Sequence, residues 1–195
     1  MSLHLEFLRH GEPAGGPRYR GQTDDPLNEN GWRQMQSAVQ DLPADRWEAV
    51  ISSPLRRCRE FAEWLARQRG LPLQLDARLK EIGFGAWEGR TYAELKAEDE
   101  EAIRRFYTDP VRHRPPGAEP VAEFRARVEA ALHDLLATYG EGRLLVVAHA
   151  GVIRAAIARV LQVPDRAMMR VRIPYAGRVG IELDGERGDA LLYIR

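Results

Sequence analysis

Leu5-Glu6-Phe7-Leu8-Arg9-His10-Gly11-Glu12 reads as a short strand followed by a sharp turn. Leu5, Phe7 and Leu8 supply the apolar positions of a buried strand, and Gly11 marks where the chain turns away. A strand ending this way sets a guanidinium and an imidazole at its carboxyl edge, which in open α/β sheets is the edge where ligands bind. Taken alone, Arg9 is equally a surface charge and His10 a satisfied turn histidine. A second copy of the pattern decides between these readings. Leu144-Leu145-Val146-Val147-Ala148-His149-Ala150-Gly151 is another apolar run that ends in histidine, turns on small residues and leads into a helix. The chain has five histidines, and two of them close apolar strands. That pairing predicts one site.

Outward from the first strand, Pro13 to Leu27 is a long loop rich in Gly, Pro and Asp that carries Arg18, Tyr19, Arg20, Gln22 and Thr23. Loops of this length beside a key strand are more often functional than idle. A helix follows from Asn28 to Leu42, with Trp32, Met35, Ala38 and Val39 on one face, and Pro43 stops it. Ala49-Val50-Ile51 is a strand. Ser53 as N-cap and Pro54 in the first turn then predict a helix to Arg69, closed by Gly70. Leu71 to Leu75 is a third strand. Leu79 to Gly89 is glycine-punctuated and irregular, Tyr92 to Tyr107 forms short helices, and Asp109 to Pro120 is a Pro/Arg-rich loop. Helices are expected over Val121 to Tyr139 and Val152 to Leu161, either side of the second key strand. From Met168 to Ile194 apolar and polar residues alternate around Asp184-Gly185, as in antiparallel strands. Strands alternating with helices predict a three-layer α/β fold. Its sheet is mostly parallel, covered by helices on both faces, with antiparallel strands near the C-terminus. Residues 1–195 read as one domain.

Composition narrows the function. Hydrophobic content of 44% and charged content of 30% describe an ordinary soluble globular chain. The formal net charge is zero, so no global basic field points to nucleic acid or an anionic membrane. Cys58 is the single cysteine, read as a small apolar helix residue in a reducing compartment. The first strand starts within a few residues of Met1 and no apolar run approaches a membrane span, so a cytoplasmic protein is expected, as a monomer or homodimer.

Leu8-Arg9-His10-Gly11-Glu12 resembles the signature of the histidine phosphatase superfamily, which includes the phosphoglycerate mutases. Ser53-Pro54-Leu55-Arg56-Arg57-Cys58 resembles its second arginine motif, Leu79 to Gly89 its acid motif, and Val147 to Gly151 its second histidine motif. Four motifs in the right order are specific where one would not be. Within the superfamily, Tyr19 to Asp24 together with Gly83 to Gly89 looks closest to the alpha-ribazole phosphatases of cobalamin assembly.

The resemblance implies a phosphoryl-transfer site that takes a small phosphorylated metabolite and needs no cofactor or metal. It makes His10 the nucleophile, attacking as a neutral imidazole, with a backbone acceptor near Gly11 holding the proton on the other nitrogen. Arg9 and Arg57 would grip the phosphoryl oxygens through planar forks, and neighbouring arginines disfavour imidazolium. His149 would donate to another oxygen, beside free N–H groups of the helix that starts near Gly151. Glu81 is the expected general acid, its proton kept by the apolar neighbours Ile82, Phe84 or Trp87, with Glu88 as the alternative. The substrate rim is expected from Tyr19, Arg20, Gln22 and Thr23, with Tyr19 and Trp87 as stacking surfaces. The other histidines, His4, His113 and His133, read as having no part in the chemistry, His113 being the one candidate for a rim contact.

Three positions depart from the family pattern: Pro13, Ala150, and the segment Gly117-Ala118-Glu119-Pro120. They touch the rim and so bear on substrate identity. Competing expectations are a phosphoglycerate mutase, a broad-specificity small-molecule phosphatase, and a non-catalytic phospholigand-binding module, the last having no use for Glu81.

Overall fold

The computed structural model describes residues 2–43 and 45–195. Six strands form one sheet: β1 (Ser2–Arg9), β2 (Ala49–Ser52), β3 (Leu73–Leu75), β4 (Gly142–Ala148), β5 (Arg178–Asp184) and β6 (Ala190–Ile194), in the order β3-β2-β4-β1-β5-β6. The first four in that order are mutually parallel, while β5 runs antiparallel to β1 and β6 antiparallel to β5. The architecture expected from the alternation of elements is therefore the observed one.

Period-two alternation assigns the strand side chains to two cores. Leu3, Leu5, Phe7, Leu144 and Val146 face a layer that includes α4 (Val121–Tyr139) and α5 (Ala150–Val160). Leu8, Val50, Leu145 and Val147 face α1 (Glu29–Val39) and α2 (Arg56–Arg69), where Met35, Phe61 and Leu65 are buried. Each such fully buried side chain stabilises the fold by about 1.5–3 kcal/mol. With both faces covered, β4 can be apolar from Leu144 to Ala148, whereas β1 alternates its apolar residues with Ser2, His4 and Glu6.

Several boundaries differ from expectation, α1 ending at Val39 rather than Leu42 and β3 starting at Leu73 rather than Leu71. Helix α2 starts at Arg56, and Ser53 instead accepts the Leu55 N–H at 3.3 Å in the preceding turn. Helix α5 starts at Ala150, two residues early, because small residues let the helix begin directly after His149. Tyr92–Thr108, labelled α3, does hold the short helices expected there, two that meet in a kink at Asp99 (φ −156°, ψ 87°), whose carboxylate accepts the Ala102 N–H and starts the second. Met168 does not begin a strand: Asp165–Arg170 is a 3-10 turn that buries Met168 and Met169 against the core. Gly70 closes α2 in the left-handed conformation (φ 64°), and α4 has the expected bounds. Among the described residues, no helix is long and apolar enough to cross a membrane.

Candidate active site

Register brings the two histidines together. Arg9 of β1 lies opposite Ala148 of β4, so the residues that follow, His10 and His149, leave the sheet side by side. The His10 N–H donates to the Ala148 carbonyl at 2.9 Å, and the two ring centroids are 5.2 Å apart, edge to face. The site thus sits at the carboxyl ends of adjacent parallel strands.

His10 Nδ1 lies 2.7 Å from the Gly11 carbonyl oxygen. A carbonyl only accepts, so Nδ1 carries the proton and Nε2 keeps its lone pair. Burial first, then the charges of Arg57 and Arg9, hold the imidazole well below its ordinary range, which keeps it neutral. His149 is fully buried and is held low by burial, Arg57 and His10 in that order. Its Nε2 is 2.8 Å from Ser53 Oγ. Cys58 Sγ, 3.6 Å from His149 Nε2, is buried, and burial pushes its thiol up to about 12, so it is an inert neighbour.

The arginines are placed unequally. Arg9 donates from Nη1 to the Ile173 carbonyl at 2.5 Å and lies 4.2 Å above the Tyr175 ring. Burial lowers its guanidinium, against the opposing pull of Tyr175 and Glu81. Arg57 is fully buried behind the site and donates to the carbonyls of Thr23 (2.6 Å) and Gly21 (2.9 Å). The Nε–H of each is buried without a protein partner, as a donor kept for an anionic ligand would be.

Glu81 meets backbone donors where apolar neighbours were expected. Its Oε1 accepts the Ile82 N–H and its Oε2 the Gly151 N–H, both at 3.0 Å. The Gly151 N–H at the start of α5 is therefore engaged by Glu81 and not free for a phosphoryl oxygen. Glu88 has a different task. It accepts from the Gly21, Gln22, Thr23 and Phe84 N–H groups and from the Thr23 hydroxyl. Burial alone would raise its carboxyl, but the donors from Phe84, Thr23, Gln22 and Gly21 outweigh it and lower it, so Glu88 holds the loop as a carboxylate and is no acid.

A cavity of about 310 Å³ opens over His10, Arg9 and Glu81. Of the expected rim, Tyr19 and Arg20 line it, as do the departures Pro13 and Ala150. Gln22 and Thr23 do not: the Gln22 amide donates to the Glu81 carbonyl at 2.6 Å and Thr23 serves Glu88. Arg20 is tied to Asp25 and to the carbonyls of Ala14 and Gly16. Trp87 is buried edge-on against Tyr19 and Phe106, so it offers no stacking face. His113 lies exposed outside the cavity with Arg112 and Arg114. Sequence reading missed Tyr92, Tyr107, Tyr175 and Arg154, which line it. Arg154 lies one helical turn after Ala150 on α5, and helical side chains point back toward the N-terminus, so its i+4 spacing was a usable signal. Its Nε donates to the Val171 carbonyl at 2.7 Å, and no carboxylate within the described residues pairs with it.

Residues 5–194 match the model of the histidine phosphatase superfamily, branch 1. The chain belongs to that superfamily. It is 35% identical over 175 residues to a bifunctional protein of Mycobacterium tuberculosis, a match covering 88% of the chain and 48% of that relative. The chain thus spans about half the length of that protein. It is 31% identical over 173 residues to the adenosylcobalamin/alpha-ribazole phosphatase of Escherichia coli, covering 88% of the chain and 85% of that enzyme. The solved structure of mycobacterial glucosyl-3-phosphoglycerate phosphatase superposes with a TM-score of 0.83 at 28% identity, covering 93% and 91%. This histidine phosphatase site thus has relatives named for quite different phosphoesters.

Proposed function

We propose that this chain is a phosphomonoesterase working through a phosphohistidine on His10, without a metal. The observation that carries the reading is the tautomer of His10. Its Nδ1–H is spent on Gly11, leaving a neutral Nε2 on a histidine that lines the cavity and feels the charges of Arg57 and Arg9. In this reading the Nε2 lone pair attacks phosphorus in line and the ester P–O bond breaks. The leaving oxygen takes the proton of Glu81. The Glu81 carboxylate then removes a proton from water, whose oxygen attacks phosphorus and breaks the N–P bond. Inorganic phosphate leaves with His10 neutral and Glu81 protonated again. Arg9 and Arg57 neutralise the equatorial oxygens, and His149 donates a hydrogen bond to one of them.

As substrate we propose alpha-ribazole phosphate. The likeness to the Escherichia coli enzyme supports it, and so do the aromatic walls of Tyr92, Tyr107 and Tyr175, which suit a flat base better than a three-carbon acid. One observation favours a second reading: Arg154 faces the cavity without a carboxylate partner, as a site for a second anionic group would require. A phosphoglycerate-like ester, hydrolysed or isomerised, meets that description. We place the protein in the cytoplasm on its single buried cysteine, as a monomer or homodimer.

The test is a label. Incubation with phosphate-labelled alpha-ribazole phosphate in chelator should leave an acid-labile, alkali-stable phosphoryl group on the protein, and His10→Ala should abolish both label and turnover. Comparable turnover by His10→Ala would sink the mechanism. A higher kcat/KM for phosphoglycerate than for alpha-ribazole phosphate would leave the mechanism and replace the substrate.

A further inference from the structure

The segment that carries Glu81 is neither helix nor strand between Lys80 and Phe84, so its backbone carbonyls need partners from elsewhere. One side chain supplies two of them, at Lys80 and at Glu81, whose carbonyl also accepts from the Gln22 amide. Arg127, on α4, donates from Nη1 to the carbonyls of Arg78 (2.6 Å) and Lys80 (2.7 Å), and from Nη2 to the carbonyl of Glu81 (3.0 Å). Its remaining bonds go to Glu119, Nε to Oε1 at 2.7 Å and Nη2 to Oε2 at 2.9 Å. A guanidinium has five N–H groups, and here five acceptors receive them. Glu119 passes the grip onward: its Oε2 accepts the Gly83 N–H and its own N–H donates to the Gly83 carbonyl.

The backbone is therefore held at residues 78, 80, 81 and 83, on both sides of Glu81, while the Glu81 carboxylate itself accepts the Ile82 and Gly151 N–H groups. Arg127 does not line the cavity and touches nothing that could react. We infer that Arg127 is a positioning residue for Glu81, fixing the carboxyl in register with the end of β1 and the start of α5. A lysine keeps the charge but offers three donors from one point, and cannot span carbonyls on three residues together with a carboxylate. The inference rests on the reading of Glu81 as the proton donor.

Leaving groups separate positioning from mere stability. A phenolate with an electron-withdrawing ring departs without a proton, whereas an alkoxide needs one. For Arg127→Lys, kcat/KM for glycerol 2-phosphate should fall about 10–100-fold, as expected for an acid displaced by an ångström, while p-nitrophenyl phosphate loses about threefold or less. Glu81→Gln should show the same selectivity, and adding Arg127→Lys to it should cost the glycerol ester nothing more, since the two act as one unit. Equal losses with both esters, while Glu81→Gln remains selective, would mean that Arg127 only supports the fold and would overturn the inference. An unselective Glu81→Gln would remove the acid assignment and the inference with it. Should Arg127→Lys fail to fold, Glu119→Gln, which cuts one arm of the grip, must show a smaller loss of the same selectivity, and an unselective loss there overturns the inference as well.

Discussion

At the scale of single residues, Gly151 shows how tightly the acid is fitted. A Cβ there would lie 2.1 Å from Glu81 Oε1, so any other residue evicts the carboxylate from its place on α5. Alanine favours helices over glycine by up to about 1 kcal/mol, so stability and activity should part company. Gly151→Ala is expected to keep or raise the melting temperature while lowering kcat/KM on alkyl esters by roughly 100-fold. A parallel loss of both would show that the carboxylate does not need this berth. That His10, Arg9, Glu81 and His149 would gather at one sheet edge was legible from sequence because titratable residues stood at apolar strand ends or within a recognised motif. Tyr175 was not, because it sits in an irregular stretch and reaches Arg9 only through the folded chain. The engagement of Gln22 and Thr23 was also hidden. A polar loop residue looks the same in sequence whether it faces a ligand or its own backbone.

At the scale of elements, the long loop after β1 is shaped from outside itself. Glu88 gathers three consecutive N–H groups, Gly21 to Thr23, while Arg57 takes the carbonyls of Gly21 and Thr23 from the other side. Glu88→Gln replaces a charged acceptor of several donors with a neutral amide that must aim two hydrogens at N–H groups. Charged hydrogen bonds contribute about 1.5–3 kcal/mol each, so the loop should loosen. Hydrogen exchange should speed up at the Gly21 to Thr23 amides and leave those of β4 unchanged. Retained protection would mean that Arg57 alone shapes the loop. Periodicity gave the helices well because an amphipathic stripe is a local signal, and α4 shows it over nineteen residues. It failed at helix starts, since the onset of α5 is decided by the strand before it, and at Met168, where burial in a turn imitates one face of a strand.

At the scale of the whole molecule, the two buried histidines tie stability to pH. Both are neutral in the folded chain, whereas the unfolded chain protonates them near the ordinary value of 6.5. Below that pH the unfolded state binds more protons, so stability is full above about 6.5 and falls as pH drops beneath it. The slope should approach roughly 1.4 kcal/mol per histidine per pH unit, readable as a urea midpoint that falls as pH is lowered beneath 6.5. His10→Asn should flatten that slope, and an unchanged slope would mean that His10 is protonated in the folded chain. The sheet order has a consequence for how such a chain comes into being. β1 is flanked only by β4 and β5, and β4 begins at Gly142. While the chain is being made, the first strand emerges with its leucines and Phe7 bare and waits for nearly three quarters of the sequence before a neighbour exists. β2 and β3 can pair in the meantime, but the two imidazoles cannot meet before the late strand slots between the early ones. A ribosome-bound fragment ending before Gly142 therefore exposes Leu3, Leu5, Phe7 and Leu8, which the finished protein buries, and its first need is shelter from aggregation rather than substrate.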